Sequence, residues 1–134
     1  MTKPIDKTRL DELCYEIIGC AMEVHRLMGP GLLERPYQLC MEHEFRIRGI
    51  RFISQCKIGL RYKGTPLDCM FVADFLVEDS VIVELKAVNE VLPLHQAQLI
   101  SYLNLAEKPT GLLINFHVTK LNDGVKRLFP HRMP

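Results

Sequence analysis

The 134-residue sequence lacks a charge excess, a close cysteine pair and a long apolar run. With net charge +1, it does not have the strongly basic balance of a protein that coats DNA through phosphate contacts alone. Attraction to nucleic acid would therefore have to come from a local patch or a bound metal. The five cysteines, Cys14, Cys20, Cys40, Cys56 and Cys69, show no C-x-x-C spacing and are odd in number. This argues against a disulfide framework, a zinc ribbon or an iron–sulfur site, and favours small buried thiols in a reducing cytoplasm. No apolar run is long enough to span a bilayer, and the N-terminus has no signal-peptide h-region, so a cytoplasmic location is expected. No repeat or low-complexity segment interrupts the chain. Hydrophobic residues at 48% and charged ones at 25% describe one ordinary globular domain over residues 1–134.

Within that domain, the apolar period predicts a helix over 8–28. Leu10, Leu13, Ile17, Ile18, Ala21, Val24, Leu27 and Met28 form its buried stripe, Thr8 its N-cap, and Asp11 and Glu12 its acidic first turn. Gly29-Pro30-Gly31 ends it. A second helix is expected over 34–48, with Pro36 in the first turn, where its missing N–H is harmless, and Gly49 after the end. The period then changes to that of strands, expected over 52–62, 67–77 and 81–88, with turns at 63–66 and 78–80. Val81-Ile82-Val83 is too apolar for an edge, which makes that strand central. Pro93 opens a helix over 94–105, and 111–116 reads as a buried strand, so 81–116 forms a βαβ crossover with parallel strands. The tail, 120–129, can be a last strand or a short helix. The order α-α-β-β-β-α-β defines a mixed α/β domain.

Chemistry concentrates in the middle. Glu84 and Lys86 lie two apart in a strand and share a face, and the turn at 78–80 brings Asp74 alongside. Charged groups on an apolar central strand are costly unless paired or bound to metal. Carboxylate oxygens suit Mg²⁺, and a neighbouring amine can orient water and offset developing charge. A structural ion pair is the plain alternative. On the following helix His95, Gln98 and Tyr102 share one face, and Gln98 and Tyr102 can hydrogen-bond phosphate oxygens. Arg46, Arg48, Arg51, Arg61, Lys63, Lys120, Lys126 and Arg127 could flank a groove, although most such residues are solvated.

Asp74, Glu84-x-Lys86 and a helix carrying Gln98 and Tyr102 together resemble the PD-(D/E)XK nuclease superfamily, in particular its RecB-type members. Gly31-Leu32-Leu33-Glu34-Arg35-Pro36-Tyr37 is similar to the motif of the GxxExxY family within it. The flanking Val24-His25-Arg26, Gln96-Ala97-Gln98-Leu99 and Leu112-Leu113-Ile114-Asn115-Phe116 are similar too. The resemblance implies a restriction-endonuclease-like core, a central mixed sheet flanked by helices, and Mg²⁺ (or Mn²⁺) held by Asp74, Glu84 and Glu34. It further implies Lys86 as the catalytic amine, Gln98 and Tyr102 along the phosphate path, and nucleic acid, DNA before RNA, as the substrate. Ala73-Asp74 replaces the superfamily's Pro-Asp, and Pro36 constrains the helix start at Glu34. A catalytically weak or inactive binding module keeping this fold is the alternative function. So small a domain also raises the expectation of a homodimer.

Overall fold

The computed structural model describes residues 5–131. The reading of the N-terminal leader and the outer limits of the domain, at 1 and 134, fall partly outside these residues. Helix α1 (Lys7–Met28) begins one residue earlier than the sequence predicts, and its cap is Asp6 rather than Thr8. The Asp6 carboxylate accepts from Arg9 N–H at 2.8 Å. Asp11 and Glu12 consequently lie beyond the first turn, and Asp11 instead accepts from Arg127 Nη1 at 2.8 Å. The buried stripe holds from Leu10 to Val24 and includes Cys14 and Cys20, but Leu27 and Met28 are exposed because the helix runs past the core.

Helix α2 (Glu34–Ile47) buries Tyr37, Gln38, Met41 and Phe45. Gly49 follows at φ 69°, a left-handed conformation that glycine adopts without steric penalty. Strands β1 (Phe52–Tyr62) and β2 (Thr65–Val77) form a long hairpin whose two-residue turn, Lys63-Gly64, has positive φ at both positions. Two positive φ values match the right-handed twist of flanking strands, so the turn is shorter than the four residues expected. Strand β3 (Val81–Lys86) stops two residues early, α3 spans Pro93–Ala106, and β4 spans Thr110–Asn115. The tail contains both of the expected alternatives, a 3₁₀ turn at Leu121–Gly124 and then β5 (Val125–Leu128).

The sheet order is β1-β2-β3-β4-β5, parallel between β3 and β4 and antiparallel elsewhere, with β3 central. Helices α1 and α2 cover one face over a core that includes Phe45, Phe75, Val83 and Ile114. Phe45 and Phe52 each meet Phe75 edge-on, with ring centroids 5.2 and 5.7 Å apart, and such pairs contribute about 0.5–1.5 kcal/mol beyond area burial. Helix α3 covers the other face over Ile82, Leu99, Leu103 and Leu113. At the centre Gly111 admits this close packing, since a Cβ there would lie 2.9 Å from the Ile82 carbonyl oxygen.

Candidate active site

The site forms where β2 and β3 part. They pair only from Phe75↔Val83 to Val77↔Val81. The next opposed pair in that register would be Asp74 and Glu84, and there side chains replace the ladder. Asp74 N–H donates to Glu84 Oε1 at 2.9 Å, and Leu85 N–H donates to Asp74 Oδ2 at 2.7 Å. Each carboxylate thus satisfies a backbone donor on the opposite strand, so the opening leaves neither N–H unpaired. Beyond it β2 continues with β1 and β3 with β4.

The hairpin also changes face at this point. Phe75 and Val77 pack beneath α1 and α2, whereas Ala73 and Phe71 pack beneath α3. Residues 73 and 75 would share a face in a regular strand. Opposite Asp74 in the β1 register stands Gln55, at φ 53°, and β1 swaps faces there as well, from Phe52 to Cys56. A non-glycine residue in this region is strained by the order of 1 kcal/mol or more. Gln38, only 4% exposed, braces the distortion from α2: its Nε2 donates to Ser54 Oγ at 2.9 Å and to the Asp74 carbonyl at 3.1 Å. Beyond Lys86, buried Asn115 holds the chain by accepting from Val88 N–H at 3.1 Å and donating to the Val88 carbonyl at 2.8 Å.

Burial is the main reason that the Glu84 carboxyl is pushed up to about 8, with the neighbouring Asp74 charge adding to it. The Asp74 N–H bond, and then Lys86, pull the other way. Asp74 is also raised, again chiefly by burial. Leu85 N–H, and then Lys86 and the Gln55 side chain, oppose the shift, while Glu34 reinforces it. Glu34 thus lies within electrostatic reach of both acids. It is exposed at the first residue of α2, however, and among the described residues no three His, Cys, Asp or Glu side chains converge into a metal-holding group. The loop before Glu34 is fixed by Tyr37, whose Oη donates to the Gly29 carbonyl and accepts from Leu32 N–H, and by His117 Nδ1 at 3.0 Å from the Pro30 carbonyl oxygen.

A cavity of about 460 Å³ lies between the opening and α3, lined by Phe71, Lys86, His95, Gln98 and Tyr102 among others. The face-sharing expected of 95, 98 and 102 is therefore real, and it is turned toward Lys86. The Tyr102 hydroxyl is raised by burial and, after that, by Glu84 and Asp74, which marks its nearness to the acids. His95 has a second duty: its Nδ1 accepts from Leu92 N–H at 3.0 Å and closes the start of α3. A larger groove, of about 950 Å³, is lined by Glu78, Asp79, Glu107 and Lys108; of the residues proposed from sequence, Arg51 borders it and none of the acids, Lys86, Gln98 or Tyr102 does.

The acids suit a hard divalent cation. They are oxygen donors that raise each other's proton affinity, and such a pair is stabilised by added positive charge. Glu84 is 6% exposed, yet among the described residues no fully buried side-chain oxygen is left unpaired, so its second oxygen retains either a partner or solvent access. Sequence reasoning missed Gln38, Gln55 and Asn115. The available signals were a glutamine set between Tyr37 and Met41, for Gln38, and an asparagine in the apolar run Leu112-Leu113-Ile114-Asn115-Phe116, for Asn115.

A mixed sheet flanked by helices, opened at two carboxylates with a lysine two residues beyond the second, defines the restriction-endonuclease-like class of α/β domains. A family model described as the PD-(D/E)XK nuclease superfamily matches residues 11–128, and the chain belongs to that superfamily. No curated protein matches the chain. Among solved structures, the crystal structure of SSO0001 aligns at 21% identity with a TM-score of 0.49, covering 71% of this chain and 49% of that one. The chain therefore spans about half the length of that relative. Among the described residues no helix is long and apolar enough to cross a membrane.

Proposed function

We propose that this protein is a divalent-metal-dependent nuclease that hydrolyses phosphodiester bonds in nucleic acid, DNA in preference to RNA, in the cytoplasm. The observation that carries this reading is the opening between β2 and β3, where Asp74 and Glu84 cross-bond to opposing backbone N–H groups beside the cavity lined by Lys86. Superfamily membership supports the reaction class. The motif from Gly31 to Tyr37 supports narrower membership in the GxxExxY family.

Asp74 and Glu84 would hold Mg²⁺ or Mn²⁺, with Glu34 contributing charge from the rim. When bound, the ion supplies electrophilic stabilisation of the phosphate and a lowered pKa for water. Lys86 places an ammonium where negative charge develops on the phosphate oxygens. Tyr102 and Gln98 border the same cavity and offer hydrogen bonds that orient the phosphate. Glu84, raised to about 8 in the metal-free protein, exchanges its proton for the cation, so metal affinity rises as pH increases toward that value. A second copy of the chain would add contacts along a duplex.

That no third carboxylate converges among the described residues favours one competing reading, a binding module that keeps the fold without cutting. Cleavage of single- and double-stranded DNA and RNA with Mg²⁺ or Mn²⁺, compared with Glu84→Ala and Lys86→Ala, separates the two. The nuclease reading expects wild-type cleavage that drops at least a hundredfold in either variant. If no substrate is cut and neither metal raises the melting temperature, the binding-module reading replaces it.

A further inference from the structure

The free half of the β1–β2 hairpin, beyond the opening at Asp74, has no role in the site so far described. Strand β2 meets β3 only from Phe75 to Val77, so residues 56–73 form a two-stranded ribbon with no third strand among the described residues. Such a ribbon is marginal alone. Here Ile58, Ala73 and Phe71 anchor its inner side against α3, while residues 61–70 are all exposed.

The distribution of cations sets this ribbon apart. Ion pairs take up the arginines at both ends of α1, Arg46 and Arg48 of α2, Arg51, Lys108 and Arg127. Among the described residues, Lys57, Arg61 and Lys63 make no carboxylate pair, and all three lie on the ribbon. Arg35 and Lys86, beside the site, are likewise unpaired, whereas Lys120 and Lys126 lie toward the far edge of the sheet. Asp68 is the one acid between Lys57 and Phe71. The cation-bearing side is also unusually apolar: Val72 lies opposite Lys57, Met70 lies opposite Gly59, and both are exposed. Lys57 and Arg61 are four residues apart, about 13 Å along a strand, far enough to reach separate phosphates.

We propose that this ribbon is a nucleic-acid-gripping arm, with Lys57, Arg61 and Lys63 contacting backbone phosphates and Met70 and Val72 lying against sugar or base. The assignment deepens the nuclease reading and rests on it for the identity of the partner. Charge complementarity selects the partner: uncompensated cations on a narrow exposed ribbon meet a polyanion, and they lead back to an acidic site that would otherwise repel it. A two-stranded ribbon is also narrow enough to enter the major groove of DNA.

The test is fluorescence anisotropy with a labelled 20-base-pair DNA duplex at pH 7 in EDTA, so that nothing is cut, over a series of salt concentrations. The triple variant Lys57→Gln/Arg61→Gln/Lys63→Gln is expected to bind at least tenfold more weakly, with the slope of log K against log salt reduced by about 2 to 3. A control carrying Arg46→Gln and Arg51→Gln, which removes paired cations, keeps the wild-type slope. Hydrogen exchange on the wild type should show protection of residues 57–63 when the duplex is added. The arm is overturned if the triple variant keeps the wild-type slope, if the control weakens binding equally, or if the wild type shows no salt-dependent binding. Binding through the arm without cleavage in Mg²⁺ or Mn²⁺ would sink the nuclease reading and leave the arm standing.

Discussion

Replacing Glu84 by glutamine in the metal-free protein keeps the size of the side chain and an oxygen to accept from Asp74 N–H, while removing the ionisable proton. A free glutamate carboxyl titrates at 4.5, and in the fold Glu84 is pushed up to about 8. A folded-state pKa above the unfolded one gives stability that is complete below about 4.5 and is lost as pH rises through 8. At pH 7 the fold must hold a proton that the unfolded chain has already released. At about 1.36 kcal/mol for each pH unit above 4.5, that penalty is about 3 kcal/mol. Glu84→Gln should therefore be nearly neutral at pH 4.5 and stabilise the metal-free protein by about 3 kcal/mol at pH 7, or roughly 10 °C in Tm for a chain of this length. Urea and thermal unfolding in EDTA at both pH values measure this directly. Adding Mg²⁺ or Mn²⁺ at pH 7 should then raise the wild-type Tm and leave the variant unmoved. A variant that is less stable than wild type at pH 7, or equally stabilised at both pH values, would refute the argument that burial and Asp74 keep Glu84 protonated.

Gln38→Leu removes donors to Ser54 and the Asp74 carbonyl, and should cost about 1–3 kcal/mol in urea unfolding. If nuclease activity is present, kcat should fall more than KM rises, because the change moves Asp74 rather than a phosphate contact. Tyr37→Phe leaves the Gly29 carbonyl and Leu32 N–H without their shared hydroxyl, and should speed amide exchange over residues 29–34 while costing about 1–2 kcal/mol. Gly111→Ala places a Cβ against the Ile82 carbonyl and the Leu99 side chain, so a Tm loss equivalent to about 1–3 kcal/mol is expected. An unchanged Tm would show that β3 and β4 can move apart under α3.

Much of the architecture was legible because period and punctuation agree along the chain. The apolar run at Val81-Ile82-Val83 identified the central strand, and strand–helix–strand order identified the parallel pair β3–β4. Errors arose where a neighbour competed with a local signal. Thr8 has the chemistry of an N-cap, but Asp6 takes the donor of Arg9 first. Leu27 and Met28 continue the apolar period of α1, but the helix outlasts the core beneath it. The two-residue turn at Lys63-Gly64 was obscured by Thr65-Pro66, which looks like turn chemistry and in fact begins β2.

The candidate site was legible to a different degree. Alternation along β3 correctly puts Glu84 and Lys86 on one face, and the hairpin puts Asp74 opposite Glu84. Alternation alone, however, would continue the ladder through that pair and carry regular faces down the hairpin. Four residues prevent this: Gln55 turns β1 with φ 53°, Gln38 holds the Asp74 carbonyl, and the carboxylates of Asp74 and Glu84 occupy the opposing N–H groups. The distortion that separates the strands is also what admits the cavity beside Lys86 and releases β1–β2 as a ribbon. A site and an arm thus share one structural cause, so loss of the left-handed turn should affect both together. Gln55→Pro, which cannot adopt φ 53°, should restore neither regular pairing nor the site. Gln55→Gly keeps the backbone but removes the amide side chain that favours the charged form of Asp74, and so should retain duplex binding while weakening stabilisation by Mg²⁺. If Gln55→Gly instead lost duplex binding and kept its response to Mg²⁺, the coupling between the turn and the acids would be the wrong way round.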